Sequence, residues 1–201
     1  LSIFQALGIK IGTDAVPVYG DAAFKLNWRL KKGGNLSWFG IGGKSQIAIK
    51  ISDQKTYSSD LYGEGDRDQY FGTSMGVTGL NYKKSLNEKT FVAWTLAYSH
   101  EEQHANHDYL VRSLNITNGD TTIKVNNKYP LMGYRFATAK ISNYVAINHK
   151  ISKKHLLKFG VYGDLFGLNF LDSVLSNIQT PGVFVKRWDY KGTAGMIQPF
   201  I

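Results

Sequence analysis

The constraint that governs this chain is the period of its apolar residues. In "AAFKLNWRL", Ala22, Phe24, Leu26, Trp28 and Leu30 occupy alternate positions, and Ala23, Lys25, Asn27 and Arg29 fill the places between. A period of two puts one set on each face of an extended strand, so one face is apolar and the other wet. The pattern recurs. Val92, Trp94, Leu96 and Tyr98 alternate with Ala93, Thr95, Ala97 and Ser99. Ala137, Ala139, Ile141, Val145 and Ile147 alternate with Thr138, Lys140, Ser142 and Asn148. Leu157, Phe159, Val161 and Leu165 alternate with Lys158, Tyr162 and Asp164. Weaker strands are expected over 35–51, 71–85 and 189–201. Helical periodicity is nearly absent, so the fold class is all-β.

The links between these strands alternate in length. "KKGG" after Leu30, "LNEK" after Ser85 and "HKISKK" after Asn148 are short, and the first is a Gly-rich tight turn. Residues 1–21, Ser52–Tyr70, His100–Tyr134 and Leu168–Trp188 are expected to be long loops rich in Asp, Asn, Gly and Ser. Antiparallel up-and-down strands place alternate links at one end of a sheet. Tight turns at one end and long excursions at the other is the asymmetry of outer-membrane barrels. The aromatics Trp28, Trp38, Trp94, Tyr98 and Phe159 on the apolar faces suit the interfacial girdles of such barrels.

Composition narrows the function classes. The chain of 201 residues is sized for one domain, 1–201, and contains no Cys, which excludes thiolate metal sites and thiol nucleophiles. Its net charge of +9 is scattered over turns, so no nucleic-acid surface is expected. The longest run without a charge, Gln69–Tyr82, is short of the ~20 apolar residues of a spanning helix. A spanning strand needs only about 9–11 residues, tilted and alternating.

Several phrases resemble the TonB-dependent outer-membrane transporters of Bacteroidota-like bacteria. They are "IFQALGIKIGTDAVPVYGDAAFKLNW", "LSWFGIGGKSQI", "SDLYGEGDRDQYFGTSMGVTGLNY" and "VNNKYPLMGYRFATAKISNYVAINHKISKKHLLKFGVYGD". The resemblance covers nearly the whole chain and places it in the barrel just after the plug. It implies part of a large transmembrane β-barrel of about 22 strands, with about seven of them here. It implies location in the bacterial outer membrane, contact with outer-membrane lipid, and transport of a scarce bulky ligand energised by TonB through a plug region outside this chain. Leu1 and Ile201 then read as ends of a piece of a longer polypeptide. Lys25, Asn27, Arg29, Thr95, Lys140 and Lys158 would face the lumen.

One motif points elsewhere. His100-Glu101-Glu102-Gln103-His104 spells H-E-x-x-H, which on a helix holds zinc between two His with the Glu as general base. Here it follows a strand at the start of an expected loop, with no apolar stripe to support a helix. It is read as solvated loop, even with His107 nearby. The Asp and Glu of "GEGDRD" and "NGD" are read as turn residues, and "NIT" at 115–117 as a sequon by spelling only. No catalytic, cofactor-binding or metal residue is expected, and no enzyme. Two competing readings stand beside transport. One is a soluble or cell-surface β-domain binding glycan or protein through its loops. The other is a metal-dependent hydrolase using His100, Glu101 and His104.

Overall fold

The computed structural model describes residues 17–31, 33–53, 64–117 and 120–201. They build one antiparallel sheet of seven strands whose spatial order is their chain order. The strands are β1 (Val18–Arg29), β2 (Asn35–Ile49), β3 (Arg67–Ser85), β4 (Thr90–Thr117), β5 (Asp120–Lys150), β6 (Leu156–Leu175) and β7 (Phe184–Phe200). A 3-10 helix, Ile51–Asp53, follows β2. Among the described residues β1 and β7 are the sheet's two edges, and the sheet is not closed into a barrel.

The up-and-down order and the three short turns match the sequence reading. At the β1–β2 turn, Gly33 and Gly34 have φ of 72° and 115°, left-handed values that favour glycine. Leu30 N–H donates to the Gly34 carbonyl at 3.0 Å and closes the turn. The β3–β4 and β5–β6 turns lie at the same end of the sheet.

The long links are where the expectation fails. His100–Tyr134 is not a loop. β4 continues to Thr117 and β5 starts at Asp120, so only 118–119, which lie outside the described residues, fall between them. Leu168–Trp188 shrinks to 176–183, because β6 runs to Leu175 and β7 starts at Phe184. Within 52–70, the helix takes 51–53 and β3 begins at Arg67, while 54–63 lie outside the described residues. Of the leading link 1–21, residues 1–16 lie outside them too, and β1 already begins at Val18. The extra strand length is held by backbone pairing, which needs no apolar period. β3 pairs β4 as far as Arg67↔Tyr109, and β5 pairs β6 as far as Met132↔Val174. Beyond these points the β4–β5 hairpin is two-stranded. Its register shifts at His107/Asp108 and Val111/Arg112, and Pro130 sits beside the first, a position where a strand tolerates a missing N–H.

Register carries the face assignment across the sheet. One row runs Trp28, Leu36, Tyr82, Trp94, Val145, Val161, Pro199. The next runs Leu26, Trp38, Leu80, Leu96, Asn143, Gly163, Ile197. A third runs Phe24, Gly40, Thr78, Tyr98, Ile141, Leu165, Gly195. None of the three contains a charged residue. Flanking rows bring in Lys84 at the turn end and His100 at the other. The three rows form a band that spans about 14 Å along β4, from Trp94 to Tyr98, and the flanking rows at Val92 and His100 stand about 27 Å apart. The band's side chains are uncovered: Leu26 is 47% exposed, Trp38 42% and Leu165 55%.

Two polar side chains in the band, Asn143 and Thr78, are bonded to indole groups within it. Trp94 Nε1–H donates to Asn143 Oδ1 at 2.8 Å. Trp38 Nε1–H donates to Thr78 Oγ1 at 2.9 Å, and that hydroxyl donates to the Phe39 carbonyl at 2.9 Å. The opposite face at the same level holds the charged residues but is mixed. The row Asn27, Ser37, Asn81, Thr95, Tyr144, Tyr162, Gln198 is polar, and the next two rows set Phe39, Ile41, Val77, Phe166 and Met196 beside Lys25, Asp164 and Lys140. This face carries all six residues picked for a lumen: Lys25, Asn27, Arg29, Thr95, Lys140 and Lys158. Ser37 Oγ donates to Asn27 at 2.7 Å, and Asn81 Nδ2 donates to Thr95 Oγ1 at 2.6 Å.

Candidate ligand cleft

The H-E-x-x-H stretch lies inside β4, not in a loop. Alternation therefore splits it. His100, Glu102 and His104 share the apolar band's face, while Glu101 and Gln103 point the other way. His100 and His104 are four residues apart on an extended strand, about 13 Å, too far for one zinc ion with ligands near 2.0–2.1 Å. Glu101 is on the wrong face to serve either. No group of three or more potential metal-ligating side chains occurs among the described residues.

What the stretch does instead is pair with its neighbours. Arg135 Nη2 donates to Glu102 Oε2 at 2.6 Å, and His104 Nδ1 lies 3.6 Å from Glu102 Oε1. The hydrogen bond from Arg135 holds the Glu102 carboxyl below the usual range. His104 lies over Gly72, where a Cβ would meet its Nε2 and Cε1. His107 is on the opposite face, edge-on to Phe71 with ring centroids 5.4 Å apart. Burial, then the charge of Arg67, pushes His107 below its ordinary value, and neither ring nitrogen has a hydrogen-bond partner among the described residues. Asn115 of the sequon is likewise in β4, paired with Thr122.

A second departure concerns "GEGDRD". Asp66 does stand in a turn, with Arg67 Nε donating to its Oδ1 at 2.6 Å. Asp68 is a strand residue with no exposure. It accepts from Ser52 N–H at 2.8 Å, from Ser52 Oγ at 2.7 Å and from Lys128 Nζ at 2.8 Å. Lys128 also reaches Tyr70 OH at 2.9 Å and Asp108 Oδ2 at 3.3 Å. Burial raises the Asp68 carboxyl, but the bonds from Lys128 and Ser52 outweigh it and hold it below the usual range. Burial opposes the charge on Lys128, and its bonds to Asp68, Tyr70 and Asp108 override that and raise its pKa. This ion pair ties the base of the long hairpin to β3 and the 3-10 helix.

The feature with the form of a ligand site is on the polar face, beyond the level of the band. Glu101, Gln103, Phe136, Thr138, Phe170 and Trp188 line a cleft of about 460 Å³, within the ~300–1,000 Å³ typical of ligand pockets. Register assembles it. Glu101 pairs with Thr138, Gln103 with Phe136, Phe136 with Phe170, and Asp172 with Trp188. Phe136 and Phe170 meet edge-to-face at 5.5 Å, and Tyr190 continues the series at 6.2 Å from Phe170. Trp188 is 58% exposed. The step between Asp172 and Ser173 is irregular, and there Arg187 Nη2 donates to Asp172 Oδ1 at 2.8 Å.

Sequence reading missed this cleft. Phe136 falls in an expected strand, but Phe170 and Trp188 fall within the expected loop Leu168–Trp188, which the structure replaces with strand, and only register brings the three together. Comparison with protein-family models, with curated proteins and with solved structures gives no match.

Proposed function

We propose that this chain is a stretch of wall from a large transmembrane β-barrel in a bacterial outer membrane, part of a TonB-dependent transporter for a scarce bulky ligand. The observation that carries the reading is the face segregation of the sheet. Three successive rows across all seven strands hold no charge on one face, and their large side chains are uncovered. Exposed apolar patches beyond a few hundred Å² mark a surface meant for an apolar neighbour. A bilayer is such a neighbour, and both outer rows of the band carry aromatics, Trp28, Tyr82 and Trp94 toward the turns and Phe24 and Tyr98 toward the other end, as interfacial girdles would. Internal pairing of the Trp94 and Trp38 indole N–H groups fits the same setting, because lipid offers them no partner.

In this reading the edges β1 and β7 pair with further strands of the same barrel, since an open edge cannot face lipid. The polar face lines the lumen, the tight turns are periplasmic, and the long β4–β5 hairpin is external. The aromatic cleft then sits at the outer mouth of the lumen, where an arriving ligand first meets the wall. TonB coupling belongs to a plug outside this chain, and no enzymatic chemistry is part of the reading.

The test is behaviour without detergent. The purified protein should stay monodisperse only in detergent or lipid. A monodisperse protein in plain buffer would favour a soluble or cell-surface β-domain and overturn the barrel reading. The transport step is tested in cells of the source organism: deleting the transporter or its TonB should abolish uptake of the same ligand.

A further inference from the structure

We propose that the aromatic cleft recognises an organic cation, an alkylammonium group presented by the ligand, with Glu101 as its counter-charge and the rings of Phe136, Phe170 and Trp188 as its walls. The inference rests on the ligand-contact role given to this cleft above and adds the chemistry of what binds there.

The lining sets the sign of the ligand's charge. Among the described lining residues Glu101 is the one charged group, and the rest are three aromatic rings, an amide and a hydroxyl. Glu101 makes no ion pair with any described residue. The nearby cations on this face are engaged elsewhere. Lys140, one row toward the turns, lies 3.8 Å from Asp164 and over the ring of Phe166. Arg187 is bonded to Asp172. An anionic group such as a phosphate or carboxylate would meet an unpaired carboxylate with no cation free to offset it.

The rings then select among what remains. An aromatic face carries negative quadrupole charge and attracts a cation within about 6 Å of its centroid, most strongly at Trp. Phe136 and Phe170 meet at right angles, interplanar 78°, so together they present a corner rather than a flat platform. Trp188 is largely exposed beside them and supplies a further ring. A compact, weakly hydrated trimethylammonium group fills a corner of this kind and brings its charge to Glu101. A neutral ring would use the same apolar surface but would leave the carboxylate without a counter-charge.

The test is calorimetric titration of the purified protein in neutral detergent with choline. The matched probe is its uncharged isostere, in which a tert-butyl group replaces trimethylammonium. Choline should bind, and the isostere should bind about tenfold more weakly or not at all. Glu101→Gln, nearly isosteric, should weaken choline about tenfold and leave the isostere unchanged. Trp188→Leu should weaken choline similarly, and a Trp28→Phe control outside the cleft should not. Equal binding of choline and isostere, tight binding of a phosphate anion at the cleft, or no heat with choline at all would overturn the proposal. If Glu101→Gln fails to fold, the two ligands on the wild-type protein still decide. A negative result here leaves the membrane reading standing, because detergent dependence is read separately.

Discussion

Trp94 and Asn143 face each other diagonally across β4 and β5, and the indole N–H donates to the Asn143 Oδ1 at 2.8 Å on the uncharged face of the sheet. In water such a bond contributes little net, because both groups have solvent as an alternative. Against lipid they have none. Asn143→Leu makes the face more apolar, and by hydropathy alone should stabilise a membrane protein. The expected result is the reverse, a loss of about 1–2 kcal/mol in lipid, from the indole donor left unsatisfied. Unfolding titrations in vesicles measure it, and a stabilised Asn143→Leu would contradict the assignment of this face.

A neighbouring pair of positions separates the two faces. Leu26 belongs to the band and Asn27 to the polar face, where it accepts from Ser37. Leu26→Arg should cost roughly 2–4 kcal/mol in a bilayer, as lipid-facing charges do. Asn27→Arg should fold with a change within about 1 kcal/mol. Equal losses in a refolding titration would remove the distinction between the faces.

The ion pair of buried Asp68 with Lys128 gives a pH and mutational signature. The Asp68 carboxyl is held below its ordinary value, near 3.9 for a free side chain. Its contribution is therefore full above that ordinary value and is lost as pH falls through the lower, folded one. Lys128 is shifted upward, so its contribution is full below about 10.4 and is lost as pH rises through its folded value. Between these limits the pair's contribution to hairpin stability should be flat. Lys128→Met should cost about 2 kcal/mol, below the ~3–5 kcal/mol of a fully buried pair, because its side chain is 36% exposed. Asp68→Asn in that background should recover part of the loss. Amide exchange along the hairpin reads these effects, and a Lys128→Met protein with unchanged protection would show that the pair does not anchor it.

His100 and His104 yield a prediction of no metal. They share a face but stand about 13 Å apart, and Glu101 points away from them. The double substitution His100→Ala, His104→Ala should leave the melting temperature nearly unchanged, with a stability effect of less than about 1 kcal/mol. Metal analysis of the purified protein should find no stoichiometric zinc. One zinc per chain, lost in the double variant with a large fall in melting temperature, would contradict this arrangement.

These examples also show which parts of the fold were legible in the sequence. β1 and the first half of β4 were, because Leu26 and Trp28, or Trp94 and Leu96, alternate with Lys25 and Asn27, or Thr95 and Ala97. The tight turns were, because Gly33 and Gly34 supply the left-handed backbone. The outer half of β4 was not. From Ser99 to Asp108 both faces are mostly polar, so the apolar period vanishes although the ladder to β3 and β5 continues. The same loss hid the H-E-x-x-H stretch in a strand. The aromatic cleft was illegible because Phe170 and Trp188 fall in the expected loop Leu168–Trp188, and for a second reason as well. Phe136, Phe170 and Trp188 come from three strands, and only pairing register makes them neighbours.

The uncharged face is most directly tested by spin labelling of adjacent positions. The chain has no Cys, so single cysteines can be introduced without other changes. Leu96→Cys places a nitroxide in the second row of the band, and Thr95→Cys places one on the polar face of the same strand. In lipid vesicles the label at 96 should be accessible to oxygen and shielded from a water-soluble nickel chelate, while the label at 95 should show the opposite preference. Equal access of the nickel chelate to both would mean that water, and not lipid, covers the row of Leu26, Trp38, Leu80 and Leu96.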